Sequence, residues 1–424
     1  MKPALVIGGG IAGMQASLDL ANQGFKVYLV ERSPSIGGIM AKLDRTFPTL
    51  DCAACLITPK LVDTGRHPNI ELLAYSEVVG IEGRAGDFRV KVIRKPRYVD
   101  EEKCTGCGAC AQHCPIIVPS EHDMKLGLRK AIYVPFPQAV PLKYTIDMEN
   151  CVRCGLCEAV CQPKAVNFEQ EEAEVELRVG AVVIATGFEL DDAARREEYG
   201  YGRYENVITT LHLERLLSPS GPTGGHIIRP SDGKIPRRIA FIQCVCSRDE
   251  KTNLYCSRFC CMYAIKNSML LKDHVHNCDV AIFYMDVRTF GKGYEELYRK
   301  AEEEYGVRFI KARPAEITEN PATRNLTVKF EDIIGGKIVE EEFDLVVLSV
   351  GVIPPGPSAR IHSMLSLTTA EDGFLECEES YLDAVTTPIE GVFAVGGAES
   401  PKDISDTVTQ ASAAAMRASI ILKD

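Results

Sequence analysis

Cys104, Cys107, Cys110 and Cys114 are followed by Pro115, and the same spacing returns as Cys151, Cys154, Cys157 and Cys161, followed by Gln162-Pro163. Each run reads C-x2-C-x2-C-x3-C. That spacing bends the chain into a loop whose first three thiolates reach three corners of an iron–sulfur cubane. The fourth corner comes from the other half of the repeat. Cys104, Cys107, Cys110 and Cys161 are therefore expected to hold one [4Fe–4S] cluster, and Cys151, Cys154, Cys157 and Cys114 a second. Zinc ligation and disulfides are the competing uses of cysteine, and neither accounts for a repeated run of this form.

The remaining composition fits that reading. The chain has 424 residues and 17 cysteines, with 46% hydrophobic and 25% charged residues, as in a soluble globular protein of two or three domains. Disulfides need an oxidising compartment. The amino terminus enters an apolar strand almost at once, so no cleavable targeting segment is expected, and a reducing, oxygen-poor cytoplasm is the expected location. A net charge of −11 argues against nucleic acid or an anionic membrane as the main partner. No apolar run approaches the roughly 18 residues of a membrane span.

Outside the cysteine-rich segment, the chain alternates strands and helices. Residues 4–8 form an apolar strand that ends in Gly8-Gly9-Gly10-Ile11-Ala12-Gly13. A helical pattern follows to about Asn22, then a strand from Lys26 to Val30 ending at Glu31. Gly8, Gly10 and Gly13 permit a tight turn and let a helix amino terminus meet a pyrophosphate. Glu31 is placed to accept hydrogen bonds from a ribose. Arg32 through Gly37-Gly38 completes a pattern typical of FAD rather than NAD, with Arg32 and Gly38 as candidate contacts. The alternation in 70–95 (Ile70, Leu72, Phe88, Val90, Val92) suggests an antiparallel hairpin layer.

Two later segments resemble parts of two-dinucleotide-binding flavoproteins. Val182 to Gly187, with Ala185, Thr186 and Gly187, resembles the strand and turn that close the FAD domain. Gly391 to Gly396 resembles the strand beneath the ribityl chain. That motif usually continues with Asp, whereas here Gly396 is followed by Gly397-Ala398. The final helix begins near Asp406-Thr407-Val408. Its positive end either faces the flavin pyrimidine or serves only packing.

A second strand–helix–strand unit occupies 237–285. Where it should carry a second glycine loop it reads Phe241-Ile242-Gln243-Cys244-Val245-Cys246, and the following helical segment carries Cys256, Cys260 and Cys261. Cysteines in place of glycines suggest that a nicotinamide site has been exchanged for an iron–sulfur site. Cys244, Cys256, Cys260 and Cys261 are the expected ligands, with structural zinc as the alternative. Cys246 is either a spare thiol or an alternative ligand. Cys278 and Cys377 read as buried small residues.

Phe241 to Asp249 (FIQCVCSRD), Tyr255 to Lys266 (YCSRFCCMYAIK), Asp51 to Lys60 (DCAACLITPK) and Pro401 to Ile404 together resemble the flavin subunit of heterodisulfide reductase, HdrA, and its bacterial relatives. The resemblance runs nearly end to end. It implies that Cys244, Cys256, Cys260 and Cys261 ligate a cluster near FAD. It also implies that Lys266 approaches the flavin N5, where a cation favours the reduced ring. Longer relatives carry further cluster domains at both ends, which this sequence does not show. Cys52 and Cys55 stand where disulfide reductases place a redox-active dithiol. A dithiol relay, ligation of a cluster shared with a partner, and a structural pair all remain open.

The expected fold class is α/β, a thioredoxin-reductase-like flavoprotein with two dinucleotide-binding domains and an inserted ferredoxin-like 2[4Fe–4S] domain. The FAD-binding domain takes 1–98, 170–192 and 343–424, the insert 99–169, and a degenerate NAD-like domain with the third cluster 193–342. The stretch between the cysteine runs is apolar (Ile116 to Val118, Ala131 to Val134, Phe136, Val140), as suits either core packing or docking of an electron carrier.

The expected function is that of an oxidoreductase subunit that splits or merges electron pairs at FAD, between a ferredoxin-type carrier and a second acceptor. The resemblance implies partners such as ferredoxin and HdrB- or HdrC-like, hydrogenase, formate dehydrogenase or acyl-CoA reductase subunits, in a dimeric hetero-oligomer. An NAD(P)H-dependent enzyme like the glutamate synthase flavoprotein, and a non-enzymatic cluster scaffold, are the alternatives.

Overall fold

A strand followed by a helix and another strand pairs in parallel, because the helix returns the chain to its starting edge. The computed structural model, which describes residues 1–333, 335–378 and 382–423, contains this arrangement twice. The chain divides into two units: Met1–Ala41, Cys55–Phe188 and Pro354–Asp424 form the first, and Lys42–Ala54 with Glu189–Ile353 the second.

In the first unit a five-stranded parallel sheet runs Val392–Ala394, Ala181–Ile184, Ala4–Ile7, Val27–Glu31, Ile70–Ala74. Its central strands are apolar on both faces, as a sheet covered on both sides requires. Ala4 and Val6 pack with the helices Ile11–Asn22 and Ile404–Lys423. Leu5 and Ile7 turn to the other face, against Phe88, Val90 and Val92. Those three belong to an antiparallel layer of Ala173–Val179, Asp87–Arg94 and Ser76–Arg84. The expected hairpin layer therefore starts at Ser76. Ile70 and Leu72 lie instead in the parallel sheet, because alternation along one strand does not record the direction of its neighbour.

The cysteine-rich insert belongs to the same unit and repeats its backbone in both halves. Cys104 N donates to Asp100 O at 2.9 Å, and Cys151 N to Asp147 O at 2.9 Å. Gly106 and Arg153, two residues on, are both left-handed (φ 72° and 51°), as are Gly108 and Gly155 (φ 83° and 75°). Each of the latter caps a short helix, Ala109–His113 or Leu156–Ala159. Arg153 holds a conformation that costs a non-glycine residue about 1–2 kcal/mol, so the loop shape is imposed by its surroundings. Val118, Ala131, Ile132 and Ala139 are buried, while Ile117, Leu128 and Leu142 are exposed. The apolar stretch thus contributes to both core and surface.

The second unit has the same plan. Its parallel sheet runs Val207–Thr209, Leu345–Val350, Arg238–Val245, Asp279–Tyr284, Arg308–Lys311. An antiparallel layer of Glu316–Glu319, Leu326–Asp332 and Lys337–Phe343 covers one face. The unit extends beyond the expected 193–342, because Glu189–Leu190 pairs with Val352–Ile353 and closes its edge. Residues 42–54 also belong here rather than with the FAD domain. Asp44 N donates to Glu214 Oε2 at 3.0 Å, and Arg215 donates to Lys42 O at 3.1 Å. No helix among the described residues is long and apolar enough to cross a membrane.

Candidate flavin and iron–sulfur sites

The glycine loop of the first unit is shaped by contacts that exclude side chains. A Cβ on Gly8 (φ 106°) would lie 2.3 Å from Ala185 O, and one on Gly13 1.8 Å from Gly8 O. Gly10 differs. Its φ of −75° suits any residue, and a Cβ there would meet no atom within 4 Å. Gly10 caps the helix Ile11–Asn22, whose first N–H groups have no partner within the helix. An open face over free amides fits a pyrophosphate. Gly38 (φ 56°) borders the same space, since its Cβ would lie 3.0 Å from Gly10 Cα.

Glu31 ends the second strand and accepts from Gly9 N at 2.6 Å and from Ser33 N at 2.7 Å. Its carboxylate is thus fixed beside the loop, and Arg32 is exposed next to it. Ala185 is buried, with Thr186 and Gly187 (φ 73°) half-buried after it. A Cβ on Gly396 would lie 3.1 Å from Thr407 Cγ2, and one on Gly397 2.5 Å from the Phe188 ring. The helix carrying Val408 begins at Ile404. These residues share one unit and fit an FAD. Gly10→Ala is expected to leave the fold intact and to weaken FAD binding about tenfold or more, or ~1.4 kcal/mol. Flavin titration of the apoprotein measures this.

In the insert, one recess is lined by Cys114, Cys151, Cys154 and Cys157 together with Ile116, Ala131, Ile132, Ile146 and Phe168. Cys114, from the first run, therefore joins three thiols of the second, and the walls are otherwise mostly apolar. Cys104 and Cys107 neighbour Cys110, whose thiol is pushed up to about 12 by burial. Cys161 accepts from Ala165 N at 3.2 Å. Four thiols in an apolar pocket suit a cubane, which needs thiolate ligands and little water.

In the second unit the strand Arg238–Val245 slips register against Leu345–Val350 between Ile242 and Val245. Cys244 takes up the extra residue with φ 58°. A bulge of this kind re-aims a side chain at the end of a strand. Residues 246–259 then form a long loop, where the first unit has three residues, before the helix Cys260–His274.

Cys260 is buried, and its sulfur lies within hydrogen-bonding reach of those of Cys244, Cys256 and Cys261. Sharing its proton with them pushes Cys260 up and its three neighbours down. Cys256 reaches about 5, held chiefly by the Cys260 thiol and further by the Arg258 N–H and the charges of Arg288 and Arg248. Among the described residues no three His, Cys, Asp or Glu side chains are arranged to hold a single metal ion.

Cys246 stands outside the group. Its Sγ donates to Asp192 O at 3.5 Å, and burial pushes its thiol up to about 12. Gln243, immediately before Cys244, is buried with neither amide atom hydrogen-bonded. Leaving such a group without a partner costs about 1–3 kcal/mol, so an acceptor beside it is favoured. Four gathered sulfurs fit an iron–sulfur cluster.

Lys266 is buried in the same helix. Its Nζ lies 2.5 Å from Glu214 Oε1 and donates to Arg45 O at 2.8 Å. Nearby Asp44 has its carboxyl raised by burial and by the Glu214 charge, against the opposing pull of Lys266. Cys52 and Cys55 are both exposed. Glu214 was not among the candidates read from sequence, because it precedes Lys266 by 52 residues and no motif marks it. Arg248, Asp286 and Arg288 were missed too, although Arg248 lies within the stretch Phe241 to Asp249.

An "FAD dependent oxidoreductase" family matches residues 4–47, and a "4Fe-4S binding domain" family matches 97–116 and 144–167. A CoB–CoM heterodisulfide reductase iron-sulfur subunit of Methanocaldococcus jannaschii is 57% identical over 420 residues, 99% of this chain and 64% of that protein. An H2:CoB–CoM heterodisulfide,ferredoxin reductase subunit of Methanothermobacter marburgensis is 52% identical over 418 residues, 98% of this chain and 63% of that protein. The chain thus spans less than two thirds of the length of these relatives. Thioredoxin reductase from Lactococcus lactis superposes with a TM-score of 0.56 at 17% identity, covering 100% of this chain and 99% of its own. The enzyme from T. acidophilum gives 0.55 at 14%, covering 98% and 97%. At those identities the likeness shows the fold alone.

Proposed function

We propose that the chain, similar to HdrA proteins over nearly its whole length, is the electron-transfer subunit of a larger oxidoreductase complex. It would exchange electrons between a ferredoxin-type carrier and a second acceptor, splitting or merging pairs at FAD. When bound, FAD exchanges electrons in pairs or singly, and each cluster carries them one at a time.

The observation that carries this reading is the fate of the dinucleotide cradle in the second unit. In the first unit the loop is short and glycine-lined, and the acid at the end of the second strand, Glu31, supports it. In the second unit the strand ends at Tyr284, and the first acid after it, Asp286, pairs with Arg248 and with Arg288 Nε at 3.4 Å. Tyr284 thus ends the strand where a nucleotide-binding domain places an acid for the ribose, and the Asp286 carboxylate is engaged by arginines. The loop space holds four sulfurs instead, so the residues favour cluster ligation over nicotinamide binding. Val152 and Leu156 are exposed beside the Cys114/Cys151/Cys154/Cys157 recess, which suits approach of a one-electron carrier. Exposure of Cys52 and Cys55 suits exchange with a partner better than a structural pair.

Anaerobic titration of the purified protein tests the reading. Reduced ferredoxin is expected to bleach flavin and cluster absorbance together, and NADPH to leave both unchanged. Bleaching by NADPH alone would favour a self-contained NAD(P)H-dependent enzyme. Clusters that fail to equilibrate with the flavin would indicate a scaffold.

A further inference from the structure

The four-sulfur site of the second unit is bordered by a set of charges that the dinucleotide fold does not itself require. Arg248 lies four residues after Cys244, with φ 56°, and its backbone N donates to Tyr255 O at 3.0 Å. Its guanidinium bonds both the Cys244 sulfur and the Asp286 carboxylate. The 286–288 loop borders the sulfurs as well. Cys261 Sγ approaches Asp286 O at 4.0 Å, and the Arg288 backbone N–H reaches the Cys261 sulfur. Arg258 N donates to Cys256 Sγ at 3.3 Å, while its guanidinium lies over the Phe290 ring at 5.3 Å.

The side chains facing the sulfurs are thus Arg248 and Arg288, with Asp286 between them. The nearby acid Asp249 is turned away to Arg196 and Arg313. Arg248 is 22% exposed, against 41% for Arg288 and 48% for Asp286, so it is the least screened of the three.

We propose that Arg248, held in place by Asp286, sets the reduction potential of the cluster ligated by Cys244, Cys256, Cys260 and Cys261. The proposal rests on the reading that these sulfurs hold a [4Fe–4S] cluster. One-electron reduction adds a unit of negative charge to an already anionic cluster. A cation hydrogen-bonded to a ligand sulfur stabilises the reduced form more than the oxidised form, and so raises the potential. The effect acts through charge rather than shape, which distinguishes Arg248 from a residue that only supports the loop. A lysine at the position would keep the charge and a glutamine would not.

The test is an EPR-monitored redox titration of the anaerobically purified full chain, with Cys260→Ala identifying the signal of this cluster by its absence. Arg248→Gln is expected to keep the iron content and to shift the reduction equilibrium about tenfold toward the oxidised form, or about 59 mV downward for a one-electron couple. Arg248→Lys is expected to recover most of that shift. An unchanged midpoint in Arg248→Gln at full iron content overturns the proposal. Loss of iron from both variants overturns it as well, by making Arg248 a structural support. If wild-type protein has no signal that Cys260→Ala removes, the cluster reading itself fails, and the two failures are told apart.

Discussion

Cys260→Ala is expected to remove about four irons from the purified protein while leaving FAD bound. Cys260 is buried at the start of its helix, within reach of the three other sulfurs of the site. Without its thiolate, one iron of a cubane has no protein ligand in a place that water scarcely reaches. The glycine loops that would hold the flavin pyrophosphate, Gly8 to Gly13 and Gly37-Gly38, lie in the other unit, so they do not depend on this cysteine. Cys246→Ala provides the contrast. That thiol is equally buried and only two residues from Cys244, yet it bonds the Asp192 carbonyl, and its loss is expected to leave iron unchanged. Iron and flavin assays on both variants separate a site-specific loss from general damage. Full iron in Cys260→Ala would remove the third site.

Glu214→Ala is expected to lower the stability of the second unit by about 3–5 kcal/mol. The Lys266 and Glu214 side chains are 1% and 2% exposed, so deleting the carboxylate leaves an ammonium in the interior with the Arg45 carbonyl as its one remaining acceptor among the bonds seen here. Glu214 also accepts from Asp44 N, so the 42–54 segment loses an anchor in the same step. Replacing both partners with apolar residues, as in Glu214→Leu with Lys266→Met, is expected to recover most of the loss. The cost lies in the unpaired charge rather than in the missing bond. Urea unfolding followed by far-ultraviolet circular dichroism reads the transition of each variant. A single variant within about 1 kcal/mol of wild type would mean that the ammonium finds water or another acceptor.

Much of this architecture was legible because it is written in local patterns. The cysteine spacing marks the insert, and both strand–helix–strand units follow from runs of apolar residues punctuated by glycine. The sequence also pointed to the four sulfurs of the second unit, since cysteines stand where a glycine loop belongs. What it did not disclose depends on distant pairing. The alternation at Ile70 and Leu72 would look the same beside a parallel or an antiparallel neighbour. Residues 42–54 join the second unit through the Asp44 amide and the Lys42 carbonyl, and no periodicity records such contacts. Glu214 and Asp286 are ordinary acids in the sequence. Only the fold shows one against Lys266 and the other between two arginines.

Iron in the second unit is tested most directly by an anomalous-scattering map at the iron edge from anaerobically grown crystals. The expected map has iron at three places: two in the insert, between the paired cysteine runs, and one among Cys244, Cys256, Cys260 and Cys261. Iron confined to the insert, with zinc or a pyridine nucleotide beside Gln243, would contradict it.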